Sequence, residues 1–156
     1  MKKLFLLVIF MTGALGLSRS QACTGITLQT IDSMTVTART IEWAAEPLNA
    51  MCVIVPKGQK QRSWLPDGTP LGKSFTAEYG YVGIAVENDE FIMEGINEAG
   101  LAAGLFYFPD YGEYLPYKEA DKSMCVSDMQ FVAWVLSTCA TIDEMIALLP
   151  TIRVIG

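Results

Sequence analysis

The sequence predicts an α+β domain built around a layered sheet, and three observations lead there. Alternating, β-branched runs fill the first two-thirds of the chain. Helical spacing of apolar residues is confined to a stretch near the C-terminus, and strands followed by helices point to α+β layering. At 156 residues, the length suits one domain and is short for two. A chain that is 51% hydrophobic and 18% charged is too apolar for a disordered tail.

The elements follow in order. Lys2 and Lys3 precede an apolar run from Leu4 to Leu17, and Ser20 and Ala22 supply small residues before Cys23. This reads as an export signal over residues 1–22, since a spanning helix needs about 20 apolar residues. Cys23 to Thr30 alternates as a strand, Ile31-Asp32-Ser33 is a turn, and Met34 to Arg39 alternates again, which predicts a hairpin. Arg39 then returns beside the start of the first strand, near Cys23. Met51 to Pro56 predicts a third strand, and Gly58 to Lys73, with Pro66, Gly68, Pro70 and Gly72, predicts a loop. Tyr79 to Val86 and Phe91 to Glu94 read as strands, Gly95 to Gly100 as a turn, and Asp110 to Lys122 as a loop. Ser127 is placed as the N-cap of a helix carrying Met129, Phe131, Val132, Val135 and Leu136. Thr141-Ile-Asp-Glu144 is a capping box ahead of a second helix stopped by Pro150, and Thr151 to Ile155 begins another strand.

Charge and composition bound the chemistry. The formal net charge is −6, and loss of Lys2, Lys3 and Arg19 with the signal would lower the 11 basic residues to 8 against 17 acidic ones. Such a balance argues against nucleic acid or an anionic membrane surface as partner. The histidine count is 0, which rules out Ser-His-Asp triads, Cys-His dyads and histidine-ligated zinc within this chain. Cys52, Cys125 and Cys139 fit no CxxC metal spacing and read as buried apolar cysteines, with pairing of two of them left open. No cofactor or metal is expected.

Cys23 carries the sharpest functional reading. A nucleophilic thiol needs a base or a depressed pKa, and a free α-amino group titrates at about 7.7–8.0 against about 10.4 for lysine. An N-terminal cysteine brings its own base once the preceding segment is removed. The competing readings are an acylated lipoprotein cysteine, for which Ser20 replaces the usual Leu-like residue, and a cysteine that merely follows the signal. A guanidinium at Arg39 would favour the thiolate.

Taken together, Cys23-Thr24-Gly25, Ala38-Arg39-Thr40-Ile41-Glu42-Trp43, Gly95-Ile96-Asn97-Glu98-Ala99-Gly100-Leu101 and the stretch from Val135 through Glu144 resemble the choloylglycine hydrolase family. That family contains conjugated bile salt hydrolases and penicillin V acylases. The resemblance implies an N-terminal nucleophile fold, an αββα sandwich, with residues 23–156 forming its N-terminal part. It implies hydrolysis of a linear amide bond in a small-molecule substrate through an acyl-enzyme on Cys23. Arg39 is similar to the family's active-site arginine. Glu42 stands where the family usually has the aspartate that holds the α-amine. Tyr107 matches an oxyanion-hole position at which the better-known bile salt hydrolases carry asparagine. The family's later asparagine and arginine have no counterpart before Gly156, so the sequence reads as incomplete. Export to the periplasm or medium follows from the signal, with no membrane attachment after cleavage; a homo-oligomer is left open. The alternative is a secreted or lipid-anchored, non-catalytic module binding an apolar ligand through Trp43, Tyr107, Phe108 and Tyr111, or an inactive fragment.

Overall fold

The computed structural model describes residues 23–42, 48–108 and 112–156; the expected signal segment, Trp43 and Tyr111 lie outside the described residues. Strands β1 (Gly25–Gln29) and β2 (Thr35–Arg39) form the expected antiparallel hairpin, with Gly25 opposite Arg39 and Gln29 opposite Thr35. Thr30 closes its turn. The Thr30 hydroxyl accepts the Met34 N–H at 3.0 Å, and Ser33 takes a positive φ of 65°.

The central layer is a four-stranded antiparallel sheet in the order β3 (Ala50–Val55), β6 (Tyr81–Val86), β7 (Ile92–Asn97), β8 (Ala102–Gly104). Alternation sorts most of its side chains, with a register shift between Ile84 and Ala85. Tyr81, Ala85, Ile92 and Asn97 are buried, whereas Ile54, Val82, Ile84 and Ile96 are exposed. Helix α1 (Phe131–Thr138) covers the buried face, where Val132, Ala133 and Leu136 pack against Val55, Ala77, Tyr81, Ala85 and Ile92. A second cluster joins Trp134 and Val135 to Phe75, Val126 and Ile152. Burying side chains of this size stabilises by about 1.5–3 kcal/mol each. Burial also pushes the Tyr81 phenol up to about 12, while its hydroxyl donates to Gln61 Oε1 at 3.2 Å.

A stripe of small residues lets α1 sit close. Gly83 is opposite Gly95, which is opposite Ala103. A Cβ on Gly95 would lie 2.6 Å from the Val82 carbonyl and 2.7 Å from Leu136 Cδ1. Gly95 is therefore a strand residue under the helix and not the start of a turn, as the glycine pattern had predicted. The turn itself is shorter, with Gly100 at φ 88°.

Two further differences have physical causes. The predicted loop from Gly58 to Lys73 contains β4 (Lys60–Arg62), paired with β5 (Ser74–Thr76). These strands are short and polar, so hydrophobic periodicity did not reveal them. Ser127 does not cap α1. It ends β9 (Cys125–Ser127), and a 3-10 turn over Asp128–Gln130 intervenes. The Ser127 N–H donates to Ser63 Oγ at 2.7 Å, and Gln130 Oε1 accepts from Ser63 Oγ at 3.0 Å and Trp64 N–H at 2.7 Å. The entry to α1 is thus pinned by the β4–β5 loop instead of by a cap.

Helix α2 (Ile142–Leu148) keeps its capping box: Thr141 Oγ1 accepts the Glu144 N–H at 3.2 Å. The returning bond from Glu144 reaches the Ala140 N–H at 2.7 Å, one residue earlier than the usual motif. Pro150 lies in the 3-10 turn that follows, and β10 (Arg153–Ile155) pairs in parallel with β9. All four cysteines are free thiols; Cys125 and Cys139 are buried, but Cys52 is exposed. Cys52 differs from expectation because it faces outward on β3, opposite Ile84.

Candidate active site

The hairpin's open end gathers three of the four residues singled out in the sequence. The ladder continues one step past Gly25 and Arg39, since the Thr40 N–H donates to the Thr24 carbonyl at 2.9 Å and the Thr24 N–H to Thr40 Oγ1 at 3.1 Å. Cys23 follows, half-buried, with its Sγ 3.9 Å from the Glu42 carbonyl. Glu42 is itself exposed. Alternation puts Cys23, Gly25 and Arg39 on one face of the hairpin, with Cys23 and Arg39 as diagonal neighbours.

Arg39 is turned toward the central sheet. Its side chain is only 5% exposed. Nη1 donates to the Met93 carbonyl at 3.2 Å and to the Leu105 carbonyl, and Nε donates to the Thr40 carbonyl at 3.3 Å. Glu94 Oε2 lies 3.7 Å from Nε, and the guanidinium carbon sits 4.4 Å above the centre of the Phe106 ring. A guanidinium this deeply placed needs a counter-charge and filled donors, and these groups supply them. Arg39, Glu94 and Phe106 also line a cleft of about 290 Å³ between the hairpin, β7 and β8, together with Gly25, Thr37 and Gly104.

Tyr107 follows Phe106 directly in the chain and is 55% exposed. Phe108 is also exposed. Glu94 and Phe106 were not singled out in the sequence. A strand arginine facing a domain body calls for a carboxylate and often an aromatic face. Sequence alone did not choose which of 17 acids and 7 phenylalanines would answer.

A family model for linear amide C–N hydrolases of the choloylglycine hydrolase family matches residues 23–156, beginning at Cys23. The chain belongs to the choloylglycine hydrolase family. Among solved structures, an arginine-to-leucine variant of the conjugated bile acid hydrolase from Clostridium perfringens is similar in fold, with a TM-score of 0.64 at 24% identity. The match covers 84% of this chain and 38% of that one. No curated protein sequence matches the chain. The mixed helix-and-sheet layers described above are thus those of an N-terminal nucleophile hydrolase, spanning part of the solved choloylglycine hydrolase structure. Among the described residues no group of three or more metal-ligating side chains converges, and no helix is long and apolar enough to cross a membrane.

Proposed function

We propose that the protein hydrolyses a linear amide C–N bond of a small N-acyl compound, with Cys23 as nucleophile. Conjugated bile salts and penicillin V represent the substrate class. The observation that carries this reading is a family match that starts at a cysteine, in a chain without histidine.

The chemistry needs residues 1–22 to be removed, freeing the α-amine of Cys23. The amine takes the thiol proton and Sγ attacks the amide carbon. The oxyanion forms where the backbone N–H of Tyr107 can donate to it. The C–N bond breaks, the α-ammonium returns its proton to the leaving amine, and a thioester remains. Water, deprotonated by the same amine, attacks the thioester; the C–S bond breaks, the ammonium returns the proton to Sγ, and the acid leaves. The Glu42 carboxylate holds the amine, and Arg39 supplies positive charge on the nucleophile's face. The basic and apolar pattern of residues 1–22 supports export to the periplasm or medium.

The test is an amide panel of glycine- and taurine-conjugated bile salts and penicillin V, run on protein whose intact mass shows a free N-terminal Cys23. Cys23→Ala is expected to lower the rate roughly 10³-fold or more. Full activity in that variant, or an acyl group on the Cys23 amine of active protein, overturns the assignment.

A further inference from the structure

The strands of the hairpin that carries Cys23 are exposed at every position except one. All five residues of β1 and the first four of β2 lie open to solvent, and only Arg39 is tucked in. Arg39 is also where the hairpin is bonded to the central sheet, through Met93 at β7 and Leu105 just past β8. Phe106 completes the joint from below. Its ring lies under the guanidinium and so close to β1 that a Cβ on Gly25 would come within 2.6 Å of Cζ. Among the described residues, Glu94 is the carboxylate paired with Arg39, and that ion pair is the polar contact its side chain makes.

We infer that Glu94 and Phe106 are positioning residues for Cys23, acting through Arg39. A guanidinium can reach two carbonyls on the sheet only while its charge is balanced and its plane is supported. Glu94 balances the charge and Phe106 supports the plane. Because, among the described residues, β1 and β2 tuck in no side chain but that of Arg39, its orientation sets where the hairpin's end stands and hence where the Cys23 sulfur stands. This rests on the proposed function only for its bearing on catalysis; the coupling is a property of the fold.

The other cysteines provide internal controls. Cys52 is exposed on β3, away from the hairpin, while Cys125 and Cys139 are buried and burial pushes both thiols up. The experiment compares the parent protein with Glu94→Gln, Glu94→Asp and Phe106→Leu. Iodoacetamide alkylation is resolved by peptide mass spectrometry at pH 7, and amide hydrogen exchange is followed over the same peptides. Glu94→Gln and Phe106→Leu are each expected to speed exchange in β1 and β2 about tenfold and Cys23 alkylation roughly threefold. Cys52 is expected to keep its rate, Cys125 and Cys139 to stay protected, and Glu94→Asp to return both hairpin readouts toward the parent. Unchanged hairpin exchange, unchanged Cys23 alkylation, or a rise at all four thiols together overturns the inference. Neither readout uses an amide substrate, so a coupled hairpin in a protein without amidase activity overturns the proposed function alone.

Discussion

Asn97 uses the full hydrogen-bonding capacity of its side chain. Nδ2 donates to the Leu136 carbonyl at 3.0 Å and the Cys139 carbonyl at 2.7 Å, satisfying the end of α1. Oδ1 accepts from the N–H groups of Ala99 at 3.1 Å and Leu101 at 3.0 Å, fixing the turn into β8. One buried amide therefore ties a turn to a helix end, and both donors and both acceptor positions are needed. Asn97→Asp keeps the shape but replaces the two donors with a carboxylate facing two carbonyls. We expect a loss of roughly 2–4 kcal/mol at pH 7. The introduced carboxyl would have a raised pKa in the folded state. The variant should accordingly be less impaired below the unfolded value of about 3.9 and lose ground as pH rises through the folded value. Urea unfolding of parent and variant at pH 4 and pH 7 checks this, and an equal loss at both pH values would exclude the charged-carboxylate account. The motif holding Asn97 was legible in the sequence as a family resemblance. Its structural task was not, because the partners Leu136 and Cys139 offer backbone carbonyls that any residue would carry.

At the scale of elements, legibility followed local chemistry. The β1–β2 hairpin was readable because Ile31-Asp32-Ser33 reads as a turn between two alternating runs. Helix α2 was readable because Thr141 and Glu144 form a capping box. Removing the Thr141 hydroxyl should free the Glu144 N–H, and Thr141→Ala is expected to cost about 1 kcal/mol. The readout is the thermal midpoint together with hydrogen exchange at Glu144. Were the midpoint to hold while Glu144 stayed protected, the cap would have no energetic role. Elements positioned by tertiary contacts escaped the sequence. The start of α1 is set by Ser63 meeting the Ser127 N–H and Gln130 across the fold, which outweighs Ser127's intrinsic preference for a cap. Strands β4 and β5 are too short and polar to show a period. Gly95 looked like turn chemistry, but its function is close approach to Leu136. The candidate site divides in the same way: Cys23, Arg39 and Glu42 come together because a hairpin register is local, whereas Glu94 on β7 and Phe106 just past β8 reach Arg39 from far along the chain.

At the scale of the whole molecule, the helices among the described residues lie on one side of the central sheet. Among the described residues the other side presents Ile54 at 77% exposure with Val82, Ile84 and Ile96 beside it, and Cys52 on the same face. The hairpin adds a second open apolar surface through Ile26, Leu28 and Val36. Register makes the sheet patch continuous: Ile54 is opposite Val82, Val82 is opposite Ile96, and Ile84 is opposite Cys52. Contiguous apolar surface of this kind drives association or dye binding in an isolated chain. We therefore expect the 156-residue chain on its own to enhance the fluorescence of an apolar dye and to sediment as more than a monomer. The paired substitution of Val82→Thr and Ile84→Thr tests the cause. Threonine keeps β-branching and strand preference while adding a hydroxyl to the open face. Since these sites do not touch α1, stability should change by only about 0.5 kcal/mol, while dye binding and self-association fall. Should association persist with the sheet face made polar, the outer surface of the hairpin would carry it, and Leu28→Thr with Val36→Thr would abolish it instead.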